Sequence, residues 1–281
     1  MREKISDEIK QAHDRVADSY GLAPVAGSIN PDSYAGWNFQ AHVVEPLGRI
    51  VAQHWKGAHI LDAGCGNGQI AEVLLNAGVG RITGVDFSEN MLKNAVKRFQ
   101  THKDRHKFTP LKADIDDPTM LKPNSFDGAI LFGVLEHLDN PAKVIKNIFT
   151  TLKSGSVFVV TVPRKGSLSH LTYTLFGQSP NRWGRDSRLK DRFRFAEKNR
   201  FYRFFSSRKM KNIVSEIPGA VVLERIPFAF GHMDGLLGYP LRFVGKNLKV
   251  GHTLLRFWDK TCRFVGLIPA GEFWLIGKRE I

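Results

Sequence analysis

The chain has 281 residues with 42% apolar and 11% aromatic content, which suits a globular protein with a sizeable core and excludes a disordered one. Two cysteines, Cys65 and Cys262, are too few for a disulfide framework and lack metal-ligand spacing, the charged opening MREKISDEIK has no secretory core, and no stretch reaches the ~18 apolar residues of a spanning helix, so a cytoplasmic location is expected. The formal charge of +14 is unevenly held: residues 1–162 carry 18 basic and 18 acidic residues while 163–281 carry 23 and 9, which suggests a neutral scaffold and a basic surface facing something anionic.

In chain order, Ile5, Ile9, Ala12 and Val16 recur every three or four positions, so residues 1–20 are expected to be helical. The turn-rich passage GLAPVAGSINPDSYAGW follows, then a helix over roughly 40–54. Alternation begins with a strand at AHILDA (58–63), a helix at QIAEVLLNAG (69–78) and a strand at RITGVD (81–86). SENMLKNAVKRFQ (88–100) is a helix capped by Ser88, with Glu89 in its first turn. KFTPLKAD (107–114) is a third strand, and its Pro110 predicts an edge or irregular position. FDGAILF (126–132) is a fourth strand, PAKVIKNIFTTLK (141–153) a helix with proline in its first turn, and SVFVVTVP (156–163) a fifth strand. Strands alternating with helices of this length imply βαβ units and a parallel sheet covered on both faces.

After Pro163 the rhythm breaks for about forty residues before SSRKMKNIVSE (206–216) and AVVLE (220–224) resume it. Residues 226–270 break it again, and EFWLIGKRE (272–280) reads as a last strand. Both interruptions fall where a doubly wound sheet presents its carboxyl-end loops, the end at which ligands bind, and they are expected to form a cap. The expected organisation is an N-terminal helical segment closing the site (1–54), a core (55–163), a basic aromatic cap (164–205), a core helix and strand (206–225), a second cap (226–270) and a final strand (271–281).

The loop in ILDAGCGNGQI places Gly64, Gly66 and Gly68 in a G-x-G-x-G spacing. A dinucleotide fingerprint needs G-x-G-x-x-G, and here its last glycine is Gln69; a G-x-x-x-x-G-K-[ST] phosphate loop is absent as well. Asp62, two residues ahead of the first glycine, suits a ligand carrying an ammonium group better than one carrying phosphates. DAGCGNG with this aspartate resembles the first motif of class I S-adenosylmethionine-dependent methyltransferases. GVDFSENML, KADIDD, FDGAILFGVLEHLDNP and LKSGSVFVVTVP resemble the family's later motifs in the same order, over roughly residues 55–163. The flavour is that of its quinone-biosynthesis-like, small-molecule branch.

The resemblance implies a Rossmann-like methyltransferase fold, α/β and doubly wound, with a mostly parallel seven-stranded sheet, helices on both faces and cap insertions. It also implies S-adenosyl-L-methionine as cofactor. Asp62, Gly64, Gly66 and Gly68 would approach the methionine portion, Asp86 the ribose hydroxyls, and Asp114 and Ile115 the adenine. Phe87 and Met91 can pack against the adenine ring or simply belong to the core. His137 can act as general base with Glu136 beside it, or the pair can be a structural feature hydrogen-bonded beneath the cofactor. His170 and His232 are weaker catalytic candidates in the cap regions, and no metal cluster is apparent.

Residues 182–211 hold 12 basic and 3 acidic residues interleaved with aromatics, with Arg192, Arg194 and Arg200 as candidate substrate-binding groups. Such a stretch can grip a phosphate or diphosphate beside an apolar tail, dock on an anionic membrane surface, bind RNA, or be a solvated face over buried aromatics. GVLEH after the fourth strand is not an [DN]-P-P-[YF] motif, which argues against methylation of exocyclic amines and disfavours nucleic acid. The expected function is methylation of an oxygen or carbon of a hydrophobic, anionic or phosphorylated small molecule such as a lipid or isoprenoid; the alternatives are an RNA methyltransferase and a non-catalytic cofactor-binding module. An enzyme of this kind is expected in the cytoplasm or peripherally at the membrane.

Overall fold

The computed structural model describes residues 39–117, 119, 121–167, 169–171, 203–228, 257, 260, 261, 263, 264, 266 and 268–279. The helix expected over 1–20, the turn-rich passage up to residue 37 and most of both interruptions lie outside the described residues.

Helix α1 (Glu45–Ile50) is flanked by π-helical turns at Gln40–Val44 and Val51–Trp55. There follow β1 (His59–Ala63), α2 (Gln69–Ala77), β2 (Arg81–Asp86), α3 (Glu89–Phe99), β3 (Phe108–Lys112), β4 (Phe126–Leu131), α4 (Pro141–Thr150), β5 (Leu152–Pro163), α5 (Ser207–Ser215), β6 (Ala220–Phe228) and β7 (Gly271–Lys278). They build one seven-stranded sheet in the order β3-β2-β1-β4-β5-β7-β6. β1 to β5 pair in parallel, and β7 runs antiparallel between β5 and β6. This is the doubly wound arrangement expected from the alternation of strands and helices.

Local chemistry sets the element ends. The Ser88 hydroxyl accepts from Met91 N–H at 3.2 Å and starts α3, and the Asn140 side chain accepts from Lys143 N–H at 3.1 Å ahead of Pro141 in α4. β3 is the sheet edge, which is where Pro110 removes a donor without breaking a ladder. β5 starts four residues before the expected Ser156, because Leu152 already pairs with Phe126 and a register shift follows before Gly128 pairs with Val157. β6 likewise runs on to Phe228, since Arg225 to Phe228 stay paired with β7.

Alternating strand residues feed two cores. On one face Leu61, Phe158, Val160 and Trp274 pack against Val144, Ile148 and Phe149 of α4 and Met210 and Ile213 of α5. On the other, Ile60, Ile130, Val159 and Phe273 pack against Leu47 and Ile50 of α1, Leu74 of α2 and Leu92 and Phe99 of α3. Trp55 is fully buried here, and its Nε1–H donates to the Val157 carbonyl at 3.2 Å. The indole reaches that carbonyl by passing over Gly128, where a Cβ would sit 2.4 Å from Trp55 Nε1 and 2.9 Å from Val157 O.

Where both sheet-end insertions begin and end is clear. Pro163 of β5 and Phe228 of β6 both register against Gly271 of β7, so the chain leaves and re-enters at the sheet's carboxyl edge. The first insertion has a closed neck: Phe205, fully buried, donates to Pro163 O at 2.8 Å and accepts from Lys165 N–H at 3.0 Å. At the opposite edge Lys278 Nζ donates to Phe149 O and to Asn124 Oδ1, each at 3.2 Å, and so ties β7 to the carbonyl end of α4.

The approach of Trp55 to Gly128 carries an expected outcome. Gly128→Ala should destabilise the fold by about 1–3 kcal/mol through overpacking, read as a lower midpoint in urea unfolding. Combining it with Trp55→Phe, which removes the clashing Nε1, should cost less than the sum of the two single changes.

Candidate functional site

The loop after β1 is shaped by its backbone. Gly64 and Gly68 take φ of 75° and 77°, left-handed values that favour glycine. A Cβ on Gly64 would lie 2.5 Å from Val134 Cγ2, so this glycine also lets the β4 loop close over β1. Gly64 and Cys65 N–H both donate to Val85 O, at 2.7 and 2.9 Å, and seat the loop on the end of β2. From the other side Arg98 of α3 donates Nε–H to Asn67 O at 2.9 Å and pairs with Glu72 at 3.1 Å, both side chains being buried.

The loop borders a cavity of ≈ 450 Å³ at the carboxyl end of β1, β2 and β4, within the roughly 300–1,000 Å³ of small-molecule sites. It is lined by Asp62, Gly64, Gly66, Asp86, Phe87, Met91, Asp114 and Ile115, all named from the sequence as cofactor contacts. Gly68 is not among the lining residues: a Cβ there would meet Phe99 and Ala95 of α3 at 3.1 and 3.2 Å, so this glycine serves packing between α2 and α3. Met91 and Ile115 are buried as well as cavity-lining.

Two carboxylates dominate the electrostatics. Asp86 accepts Ser88 N–H on Oδ1 and Gly66 N–H on Oδ2, each at 2.9 Å. Asp62 is 1% exposed, and its Oδ2 has no hydrogen-bond partner among the described residues. Burial, reinforced by the nearby negative charge of Asp86, pushes the Asp62 carboxyl up to about 7. Asp114 Oδ1 is turned back onto Asp116 N–H at 3.0 Å and shapes the loop after β3, and Ala113 N–H donates to Asp86 O at 3.2 Å. Burial also raises the Cys65 thiol well above its ordinary value, in keeping with a packing residue.

The Glu136–His137 pair is split. Both lie on a 3-10 turn, Leu135–His137, and His137 lines the cavity. Glu136 is not among the lining residues, is 7% exposed, and is held up to about 7 by burial. Among the described residues Glu136 Oε2 has no hydrogen-bond partner, while a backbone hydrogen bond to the carboxyl partly offsets the effect of its burial. Arg203, at the return of the first insertion, braces this turn: its N–H donates to Glu136 O at 3.0 Å and its guanidinium to the carbonyls of Leu138 and Asp139.

His170 is not among the lining residues; its Nδ1 accepts Gly166 N–H at 3.3 Å and its ring meets Phe204 edge-on at 4.6 Å. His232, Arg192, Arg194 and Arg200 lie outside the described residues. Sequence reasoning missed Phe39, Val43, Gln69, Ile70, Phe132 and Leu138, which also line the cavity. Phe132 had a signal, its place at the end of the fourth strand; Phe39 and Val43, from the segment expected to close the site, had none. From Phe132 an aromatic row continues to Phe273 and Phe228, with ring centroids 6.0 and 5.1 Å apart.

S-adenosylmethionine fits these residues. Its ammonium group needs a carboxylate, which the unpartnered Asp62 oxygen offers, and its ribose hydroxyls need an acceptor, which Asp86 offers at a strand end. Among the described residues no group of three or more His, Cys, Asp or Glu is placed to hold a metal ion. No helix among them is long and apolar enough to cross a membrane.

Residues 61–160 match the family described as "Methyltransferase domain". The chain is 36% identical over 138 residues to the demethylmenaquinone methyltransferase of Leptospira interrogans, covering 46% of this chain and 53% of that protein. It is 31% identical over 125 residues to the ubiquinone biosynthesis O-methyltransferase of Coxiella burnetii, covering 43% and 50%. The matched segment thus spans about half the length of these curated relatives. Among solved structures, an S-adenosylmethionine-dependent methyltransferase of Thermotoga maritima, described as a possible histamine N-methyltransferase, superposes with a TM-score of 0.55 at 16% identity, covering 95% of this chain and 98% of that one. That likeness shows the fold.

The two buried acids predict how stability follows pH. Asp62 and Glu136 are raised to about 7 from 3.8 and 4.5, so the folded state binds their protons more tightly than the unfolded chain does. Their contribution is fully present below about pH 4 and is lost as the pH rises to about 7. In urea unfolding of the ligand-free protein, Asp62→Asn or Glu136→Gln should flatten that decline, each by at least ~1 kcal/mol between pH 5 and 8.

Proposed function

We infer that this chain, whose residues 61–160 are a methyltransferase domain of the S-adenosylmethionine-dependent class I type, methylates an oxygen or carbon of a hydrophobic, anionic or phosphorylated small molecule, a lipid, an isoprenoid or a related metabolite. The observation that carries the reading is the unpartnered Asp62 oxygen beside Asp86 in one cavity with the glycine loop. Two buried acids whose charges repel favour a cationic ligand, because a positive charge beside Asp62 offsets both its burial and its repulsion by Asp86.

S-adenosylmethionine, when bound, supplies an electrophilic methyl group whose in-line transfer needs mainly positioning. The chain's residues do that work. Asp62 holds the ammonium end and Asp86 the ribose, while Met91 and Ile115 flank the adenine. His137 faces the cavity from the β4 turn and takes the acceptor's proton where an oxygen is methylated. Glu136 stays out of the reaction, since it does not border the cavity. Phe132 and the aromatic row behind it support an apolar acceptor, and the first insertion, with Arg192, Arg194 and Arg200, supplies the countercharge for an anionic one. The names of the two relatives, one for demethylmenaquinone and one for ubiquinone biosynthesis, are in keeping with a quinone-like or lipid-soluble acceptor. Such acceptors are met at an anionic membrane surface, where the chain would work peripherally.

Replacing Asp86 with alanine should cost about 2–3 kcal/mol of cofactor affinity, measured by calorimetric titration with S-adenosylhomocysteine; an unchanged titration would remove that acid from the site. The acceptor is found by offering labelled S-adenosylmethionine with prenyl diphosphates, phospholipids, quinone-like phenols, sugars and bulk tRNA. Label in the lipid, diphosphate or phenol pool is expected; label confined to tRNA would establish the RNA reading instead. Cofactor binding with no label in any pool would favour a non-catalytic module. With the acceptor in hand, neutralising Arg192, Arg194 and Arg200 together should raise its KM while leaving cofactor affinity as it was.

A further inference from the structure

Among the described residues six large apolar side chains are exposed: Val96, Leu171, Leu223, Phe257, Phe264 and Ile268. Four of them, Leu171, Phe257, Phe264 and Ile268, belong to the chain that leaves the sheet's carboxyl edge after β5 or returns to it before β7. They also include the two most exposed, Phe257 at 68% and Phe264 at 90%. A single exposed apolar side chain is ordinary, but several on one returning segment mark a candidate interaction surface.

Residues 257, 260, 261, 263 and 264 are helical, and Thr261 Oγ1–H donates to Phe257 O at 2.8 Å, four residues back. Phe257 and Phe264 are seven positions apart, so they project within about 20° of one another. Lys260 and Arg263 are exposed on the flank of that stripe. The end of this segment is fastened to the carboxyl edge: Ala270 O accepts Arg164 N–H at 2.8 Å, and Ile268 lies close enough to Gly166 that a Cβ there would touch it at 3.0 Å. Beside it Lys165 is exposed too.

The charge identifies the occupant. Residues 241–270 contain six basic residues, Arg242, Lys246, Lys249, Arg256, Lys260 and Arg263, and one acid, Asp259. The whole +14 surplus falls in residues 163–281, the part of the chain that holds this face. Exposed aromatic side chains on one helical stripe with lysine and arginine at its border are the composition of an element lying in a lipid headgroup layer, its rings at the acyl boundary and its cations on anionic phosphates. A protein partner would need acidic complementarity over the same area together with a pocket for each ring.

We propose that Phe257 and Phe264, flanked by Lys260 and Arg263, form a docking face for an anionic lipid bilayer at the carboxyl edge of the sheet. The segment returns to β7 at the carboxyl edge, the end of the sheet at which the cofactor cavity lies, so docking there would bring a lipid-soluble acceptor to that end of the fold. This rests on the peripheral reading above and is independent of methyl transfer itself.

The test is cosedimentation of the full chain with phosphatidylglycerol vesicles and, separately, phosphatidylcholine vesicles. Binding to the first and little to the second is expected, weakening steeply with salt. Phe257→Ser with Phe264→Ser should weaken binding at least ~tenfold, the order expected for two rings withdrawn from lipid. Phe264→Ser alone, at a 90%-exposed position, should weaken it with no change in the thermal midpoint or in S-adenosylhomocysteine affinity. Absence of cosedimentation would overturn the proposal, as would a double variant that binds as the unsubstituted protein does. Self-association that disappears in the double variant, without vesicle binding, would assign the face to a second copy of the chain and overturn it as well. Vesicle binding without label transfer to any acceptor would leave the docking face standing and count only against the catalytic reading.

Discussion

The constraint on which the site depends is the buried carboxylate of Asp86. Its two oxygens accept Gly66 N–H and Ser88 N–H, so one side chain fixes the glycine loop after β1 and the turn that starts α3. The same charge sits close enough to Asp62 to help hold that carboxyl protonated near neutrality. An anion that organises a loop and simultaneously disfavours a second anion leaves the pocket arranged for a cation. Much of the cost of ordering the pocket is therefore met during folding rather than on binding.

The rest of the architecture keeps that arrangement rigid. The loop is seated from β2 through Val85 O and clamped from α3 by Arg98 on Asn67 O, so two elements must move together before it can open. Behind it the Trp55 indole crosses Gly128 to reach Val157 O and joins three central strands to the helical cover. On the side of His137, by contrast, the insertion closes at a narrow neck on Phe205, and Arg203 carries that neck into the turn bearing His137. The glycine-loop side of the cavity is thus braced by the core, and the turn bearing His137 by a few contacts at the base of the insertion.

How much of this was legible follows from which interactions are local in sequence. Ser88, Pro141, Pro110 and the alternating apolar runs act on their own neighbours, and the elements they predicted are present. The long β5 and β6 were under-read because Leu152 pairs with Phe126 of β4, and Arg225 to Phe228 with β7, which extends each strand past any local pattern. In the site, Asp62, Asp86 and Asp114 were readable because each lies within two residues of a strand's carboxyl end and so sits at the carboxyl edge. Gly68 has a packing role its spacing does not reveal, since its neighbours in space are Phe99 and Ala95 of α3. Glu136 and His137 were grouped because they are adjacent, yet a 3-10 turn sends adjacent side chains in different directions. Phe39 and Val43 were invisible, since their contribution depends only on where the first helical segment crosses the cavity.

The position of β7 bears on how the chain is made. It follows every other strand in sequence, yet it lies between β5 and β6 and pairs with both. During synthesis β5 and β6 emerge well before the strand that joins them, and β5 meanwhile presents an open edge of valines to the cell. The parallel half of the sheet, β3 to β5, can assemble on the ribosome from contacts already translated, whereas β6 has no place in it until β7 arrives. The order of events imposed on the nascent chain is therefore cofactor half first and closing strand last, and the interval between them is when chaperone protection of the β5 edge matters most.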